Sequence, residues 1–583
     1  MNIIYSGFVH PVIGVLSAFL MLFGSEFVGK YLLKKFFNTF FFLNLVVGII
    51  AVSLSTYIFI LAELSRITTI FFSYILLFLG TYNLFILIKN FNYRKINSPV
   101  ILFILLIIFL LFVLSVTAPT MADSLAYHLG VPKYINQNYK WPSPGMWLHG
   151  NISGLGEVYN LLGIVAYTDV VGSLAQIFSL ASFLYYFSNI VADKQRIILL
   201  NFFILGSPVI LFLLSGAKFL IFPQLITTLV LYFLISNKQL SKNLFLLIVF
   251  LLCGAASFKL NFFISGFVLG IFALIKINFN YKLIFQAALI FLLFFLPKAL
   301  FNFYNMQHFE FVNIFSVVPG EFASSLKNYR ENSFFFPMNL FVPESLGKIS
   351  TILGIGPFLL LFIKDLKKEN IQILTIGLIL AIFYFFFSMS VGRMYYEILL
   401  WFSLCIVFQV NFRISIKSIN FFLFANNFIV FLLIIFGVYS LAPSLLSNKM
   451  RKEVMMNNAS GYQAANWINE NIDKKKTIMT NLRSVALLNA NTIPMDYLSY
   501  FMPSSKNIEE YINYIKEKKI DYLILENFAK NYRYLFRDCP KTKIFSSPFF
   551  TTERRNPFNK DGQYSVTIIK FDEYQSKTCI KIN

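Results

Sequence analysis

The sequence predicts a polytopic α-helical membrane protein with about 14 transmembrane helices and a C-terminal extracytoplasmic α/β domain. Three observations predict it. First, 57% of the 583 residues are hydrophobic and only 13% are charged, whereas a soluble globular chain carries about 25% charged residues. Second, continuous apolar runs recur along residues 8–442, most of them near the roughly 20 residues that cross about 30 Å of hydrocarbon. These runs do not alternate apolar with polar residues, which excludes a β-barrel. Third, every second loop between the runs is basic, as expected when alternate loops face the cytoplasm.

In chain order the spans are expected at 8–29, 39–60, 67–88, 99–117, 158–190, 197–214, 219–236, 243–257, 262–276, 283–301, 347–363, 371–389, 396–411 and 419–442. The fifth run starts at 158 or as late as Val170, with an interfacial helix before it. The N-terminus has no charged segment before Phe8 and no small-residue cleavage site, so it reads as a span and not a signal peptide. The basic loops carry Lys30, Lys34 and Lys35; Lys89, Arg94 and Lys95; Lys194 and Arg196; Lys238 and Lys242; Lys276 and Lys282; Lys364, Lys367 and Lys368; Arg413 and Lys417. The positive-inside rule places these in the cytoplasm. The N-terminus, a loop at 118–157, a second loop at 302–346 and the tail from Ala442 are then outside. The formal net charge of +22 is accounted for by these loops and the tail, so no nucleic-acid partner is expected. Four cysteines form no metal-binding pattern, and a bridge between Cys539 and Cys579 in the tail is open.

The tail changes composition. SGYQAANWINENI and NIEEYINYIKEKK read as helices, and TIMTN, DYLILEN and YSVTIIKF read as strands. Helix and strand alternate over 443–583, which predicts a small α/β domain.

Chemistry is expected where polar groups collect at the outer ends of spans. Residues 119–157 follow a span and gather Asp123, His128, Lys133, His149 and Glu157 with Trp141 and Trp147. Asp123 is either a helix N-terminal acid favoured by the helix dipole or a general base or metal ligand. His128, five residues on, lies off its face on an α-helix and reads as a hydrogen-bonding neighbour. Glu157 begins the next run and is either solvated or turned back toward Asp123. Lys218, Lys259 and Arg393 are isolated cations in outer turns. They either snorkel to headgroups or clamp a lipid-linked anion, for which arginine is well suited.

DSLAYHLGVPKYI resembles the opening of the first outer loop of bacterial GT-C-type membrane glycosyltransferases, relatives of protein mannosyltransferases and lipid A aminoarabinose transferases. WLHGNISGLGEVYNLLG, FKLNFF and GRMYYEILLW are similar to later pieces of that superfamily. The resemblance covers 99–442 and leaves 1–98 as additional N-terminal spans. It implies Asp123 as the catalytic acid-base or metal-site residue and Glu157 as the acid before the next helix; His128, read as the neighbour of Asp123, completes the catalytic group. It also implies Lys259 and Arg393 as donor-phosphate ligands, with Lys218 added by position. The paired acids often found in that motif are reduced here to Asp123 followed by Ser124, which leaves dependence on a divalent cation open. The implied activity is transfer of a sugar from a polyprenyl-phosphate donor to a lipid, glycan or protein acceptor at the outer face of a bacterial inner membrane. An O-antigen-type polymerase or ligase and a lipid-linked glycan transporter or flippase are the alternatives.

Overall fold

The computed structural model of the protein describes residues 10–37, 39–89, 98–143, 147, 150, 153–191, 193–305, 336–343, 345–387, 391–495, 517–526, 544–551 and 563–570. His149, most of the loop at 302–346, and both tail cysteines lie outside them.

Three helices open the chain: α1 (Pro11–Leu33), α2 (Phe41–Leu61) and α3 (Ser65–Lys89). They pack at backbone contact. A Cβ on Gly29 would stand 1.8 Å from the carbonyl oxygen of Asn44, and one on Gly48 would stand 1.7 Å from that of Ser25. Small residues let membrane helices approach this closely. The approach also seats Glu26, whose carboxylate accepts from Asn44 (2.8 Å) and Asn83 (2.6 Å).

The core follows with α4 (Pro99–Ser115), α5 (Gly130–Asn138), α6 (Leu155–Val165), α7 (Val171–Ile190), α8 (Lys194–Leu205), α9 (Val209–Leu214), α10 (Ile221–Ser236), α11 (Lys242–Phe258), α12 (Phe262–Lys276) and α13 (Tyr281–Asn305). It ends with α14 (Lys368–Phe387), α15 (Gly392–Val407) and α16 (Ile416–Leu441). Among the described residues, seven helices are long and apolar enough to cross a membrane, and five shorter apolar helices accompany them. The chain is a polytopic helical membrane protein.

Three of the expected spans are not single helices. Run 158–190 divides into α6 and α7, in line with the later start at Val170 and a separate helix before it, because Tyr167 takes a left-handed backbone (φ 61°), which ends a right-handed helix. Run 197–214 divides at Gly206 and Pro208, since proline lacks the N–H that would continue α8. Run 347–363 is not an α-helix. It is two 3-10 stretches, Leu346–Thr351 and Gly356–Phe362, separated by Gly354 at φ 72°. Its last residue enters strand β1 (Ile363–Asp365), which pairs antiparallel with β2 (Asn411–Phe412). Irregular backbone at membrane depth needs partners within the protein. Here Val209 N–H donates to Ile352 O (3.0 Å), Ser207 Oγ donates to Leu353 O (2.9 Å), and Asn426 donates to Gly206 O. The break between α8 and α9 and this irregular segment therefore satisfy each other.

The tail begins with α17 (Asn448–Asn458) and α18 (Tyr462–Asn471). Strands β3 (Thr477–Thr480), β4 (Asn491–Pro494), β5 (Tyr522–Glu526), β6 (Ile544–Ser546) and β9 (Val566–Lys570) form a five-stranded sheet in the order β4-β3-β5-β9-β6. The β3 pairings with β4 and β5 are parallel, and those of β9 with β5 and β6 are antiparallel. A short ribbon of β7 (Phe550–Thr551) and β8 (Gln563–Tyr564) lies beside it in sequence. The tail is docked on the first loop and on the turn between α6 and α7. Arg451 holds Asp169 with both carboxylate oxygens (2.8 and 2.6 Å), Ser460 N–H donates to Thr120 O, and Ala118 N–H donates to Ser444 Oγ. The buried Lys133 of α5 donates to Leu488 O, and burial pushes its ammonium down to about 7. Ala118 and Leu125 share one apolar cluster with Tyr462, Leu482 and Leu487.

Candidate active site

Asp123 sits in the turn after α4. It precedes a π-helical turn, Ser124–His128, and its side chain makes no capping bond to that turn. Its place at the start of this helical stretch is still that of an N-terminal acid favoured by the helix dipole. The turn corrects the expected placing of His128. A π-helix closes i to i+5, as in the bond from Leu129 N–H to Ser124 O (2.9 Å). A residue five positions on thus returns toward the starting face, and His128 lies close enough to act on the Asp123 charge.

His128 and Glu157 form a buried pair, each only 3% exposed. The Nδ1 of His128 lies 2.6 Å from Glu157 Oε1. The other carboxylate oxygen accepts from Gly154 N–H (2.7 Å), capping α6. Gly154 is required there: a Cβ would stand 2.0 Å from the carbonyl oxygen of Ser257, at the end of α11. That contact brings the Glu157 turn against the turn carrying Lys259. Burial lowers the His128 pKa against the opposing pull of Glu157, so the imidazole tends to neutral. Its Nε2 is buried and without a hydrogen-bond partner.

The three cations singled out from the sequence are all in this cluster. Lys218 is buried, and its Nζ lies 3.1 Å from the centre of the Phe212 ring. The guanidinium of Arg393 faces the same ring at 5.8 Å and approaches Asp123 Oδ2 at 3.9 Å. Lys259 lies in the turn between α11 and α12, partly buried. Burial lowers its ammonium to about 8, with Arg393 adding to the shift and Asp123 and Glu157 opposing it.

Arg483 was not legible as a site residue in the sequence. It lies between β3 and β4 in the tail, yet it donates to Asp123 Oδ1. Burial alone would raise the Asp123 carboxyl, but Lys218, Arg483, His128 and Arg393 outweigh it and hold it well below the usual carboxylate range. The Asp123 side chain is 23% exposed, more than the buried Lys218 but less than Arg393 (27%) and Arg483 (61%).

Amide side chains hold these turns in place. Asn160 donates to both His128 O (3.1 Å) and Ala217 O (2.9 Å), tying the His128 turn to the Lys218 turn. Gln176 accepts from Leu220 N–H and Ile221 N–H and donates to Gly216 O. Gln224 donates to Arg393 O (2.8 Å). Their sequence signal was an amide within an apolar run, since polar groups at that depth are costly without partners.

Beside the cluster lies a cavity of about 380 Å³. Asp123, Lys218, Arg483, Thr120 and Ser215 line it together with apolar side chains of α4 and α16, among them Leu114, Leu433 and Phe436. Lys259, Arg393, His128 and Glu157 are not on its wall; Arg393 reaches it through Asp123. Four cations stand against two carboxylates, an excess of two positive charges that suits an anion. The same balance fits a divalent cation poorly. Among the described residues no group of three His, Cys, Asp or Glu side chains is placed to hold one.

No curated protein sequence matches the chain significantly. Solved structures to which it is similar include ArnT from Cupriavidus metallidurans bound to undecaprenyl phosphate. That structure has 11% identity and a TM-score of 0.45, with 80% of this chain and 97% of that one covered. The apo state of the same protein gives 9% identity, the same coverage and a TM-score of 0.43. Residues 75–455 match the DUF1420 N-terminal domain, and by that match over more than half its length the chain belongs to the DUF1420 family.

Proposed function

We propose that this protein is a membrane glycosyltransferase that moves a sugar from a polyprenyl-phosphate donor to an acceptor at the outer face of a bacterial inner membrane. The observation that carries this reading is the cavity, whose wall combines Lys218 and Arg483 with apolar side chains of α4 and α16. That combination suits a ligand with an anionic head and a hydrocarbon tail. The motifs around Asp123, Glu157, Lys259 and Arg393 support the same reading through their resemblance to GT-C transferases.

In the reaction, the acceptor oxygen forms a bond to the anomeric carbon as the bond from that carbon to the phosphate oxygen breaks. The phosphate leaves with one more negative charge than it had as a diester, and the acceptor proton passes to Asp123. Lys218, Arg393 and Arg483, with Lys259 behind them, stabilise the growing charge. Preorganised cations act most strongly where charge develops. The His128–Glu157 pair positions the turn that carries Asp123. The outer-face assignment is supported by α11, whose start at Lys242 lies on a basic loop and whose far end is followed by Lys259. Nucleotide sugars are absent from the outer face, so a lipid carrier is required there.

The transporter alternative calls for a charged path through the spans. The buried Glu397 of α15 instead accepts from neutral groups, Thr227 (2.5 Å), Ser265 (3.0 Å) and Tyr384, as Glu26 does from its two asparagines. Both are satisfied within the protein, which favours the transferase. The test is lipid and glycan analysis of a deletion strain. A polyprenyl-phosphate sugar should accumulate and a glycosylated product should disappear. Unchanged pools of both would overturn the reading.

A further inference from the structure

We propose that Arg483 is a movable clamp supplied by the tail: it holds Asp123 while the site is empty and turns to the phosphate when a polyprenyl donor enters. This deepens the transferase reading and rests on it.

The backbone around Arg483 is fixed. Leu482 is buried in the apolar cluster of the tail, Leu482 N–H donates to Thr480 Oγ1 (3.0 Å), and the side-chain carbonyl of Asn481 accepts from Glu526 N–H (2.7 Å). On the other side, Val485 packs near Gly130 and Ala486 joins Leu129, Ile164 and Ala217 in one buried cluster. The Arg483 side chain leaves this anchored base, is 61% exposed, and lines the cavity together with Asp123 and Lys218. Only its side chain has to move to reach a phosphate in that cavity.

The exchange is favoured by charge. Asp123 is a single anion shared by Arg393 and Arg483. A donor phosphodiester beside Lys218 carries one negative charge on two oxygens, as a carboxylate does, and gains a second charge as the sugar leaves; a guanidinium pairs with phosphate through two parallel hydrogen bonds. The bond being given up involves an exposed arginine, and exposed ion pairs are weak. When Arg483 leaves, Asp123 loses one of the cations that hold its proton affinity down. The donor would thereby release the base that the acceptor needs, and the tail would be part of the active site rather than an appendage.

The test uses the full-length protein in nanodiscs with two probes, undecaprenyl phosphate and uncharged undecaprenol. Arg483→Gln should weaken undecaprenyl phosphate binding by about tenfold, the scale of one charge-assisted contact at a partly exposed site. Arg483→Lys should recover most of that loss, and undecaprenol should bind all three proteins alike. Arg483→Gln binding undecaprenyl phosphate as the wild type does would overturn the clamp. Parallel losses for both probes would also overturn it, because they would mark Arg483 as merely a support for the tail. A wild-type protein that binds undecaprenol and undecaprenyl phosphate equally would overturn the donor reading itself, and the clamp with it.

Discussion

Replacing Asp123 with asparagine should have opposite effects on chemistry and on donor binding. The substitution keeps the size and a hydrogen-bonding group but removes the charge. If Asp123 takes the acceptor proton, turnover should fall by roughly two to four orders of magnitude, the usual range for a lost general base. Donor binding should instead tighten, because Arg393 and Arg483 lose a competitor. The Arg393–Asp123 approach of 3.9 Å sets the scale. Two unit charges that far apart attract by about 4 kcal/mol at an effective dielectric of about 20. Partial exposure of both side chains reduces this to about 1–2 kcal/mol, an upper limit of roughly five- to thirtyfold in affinity. The assay pairs single-turnover transfer from a radiolabelled polyprenyl-phosphate sugar with equilibrium binding of the same donor, both in nanodiscs. Near-normal turnover in Asp123→Asn would refute the reasoning, since an asparagine serves about as well as an aspartate in a structural cap. Weaker donor binding would refute the charge argument separately, since it would make Asp123 a donor ligand.

Wild-type donor affinity should fall as pH rises through about 8, because burial lowers the Lys259 ammonium to that range and its positive charge is lost above it; Lys259→Arg should carry tight binding to higher pH in the same titration. Glu157→Ala should cost about 1–3 kcal/mol of stability, since it leaves the buried His128 Nδ1 and Gly154 N–H without their acceptor, whereas Glu157→Gln should keep the fold and lower turnover less than Asp123→Asn does; thermal unfolding and transfer assays on both variants check this. Single cysteines at Ser143 and Ser415 should label from opposite sides of the membrane, and labelling of both from outside would show that the alternation of basic loops was misread.

The sequence by itself determined the class of protein and picked out most of the charged groups that cluster around Asp123. Apolar runs and the basic loops between them depend only on local composition, because hydrocarbon rejects charge residue by residue. For the same reason Asp123, Glu157, Lys218, Lys259 and Arg393 stood out: each is a charged group at the end of an apolar run, and the structure brings all five into one cluster. Sequence spacing misjudged His128, because an α-helical period was assumed where the chain forms a π turn. Only the tertiary structure decided the rest. Segment 347–363 is as apolar as its neighbours, yet it is not an α-helix, since its backbone groups find partners on the broken α8–α9 pair. Arg483 is 360 residues from Asp123 and sits in a tail whose composition marks it as a separate unit. It joins the site because the Leu482–Ala486 stretch is buried against the first loop, with Lys133 bonded to Leu488 and Arg451 to Asp169. Local chemistry says that a cation is present, but which anion it meets is set by how distant surfaces pack, and no window of sequence contains both.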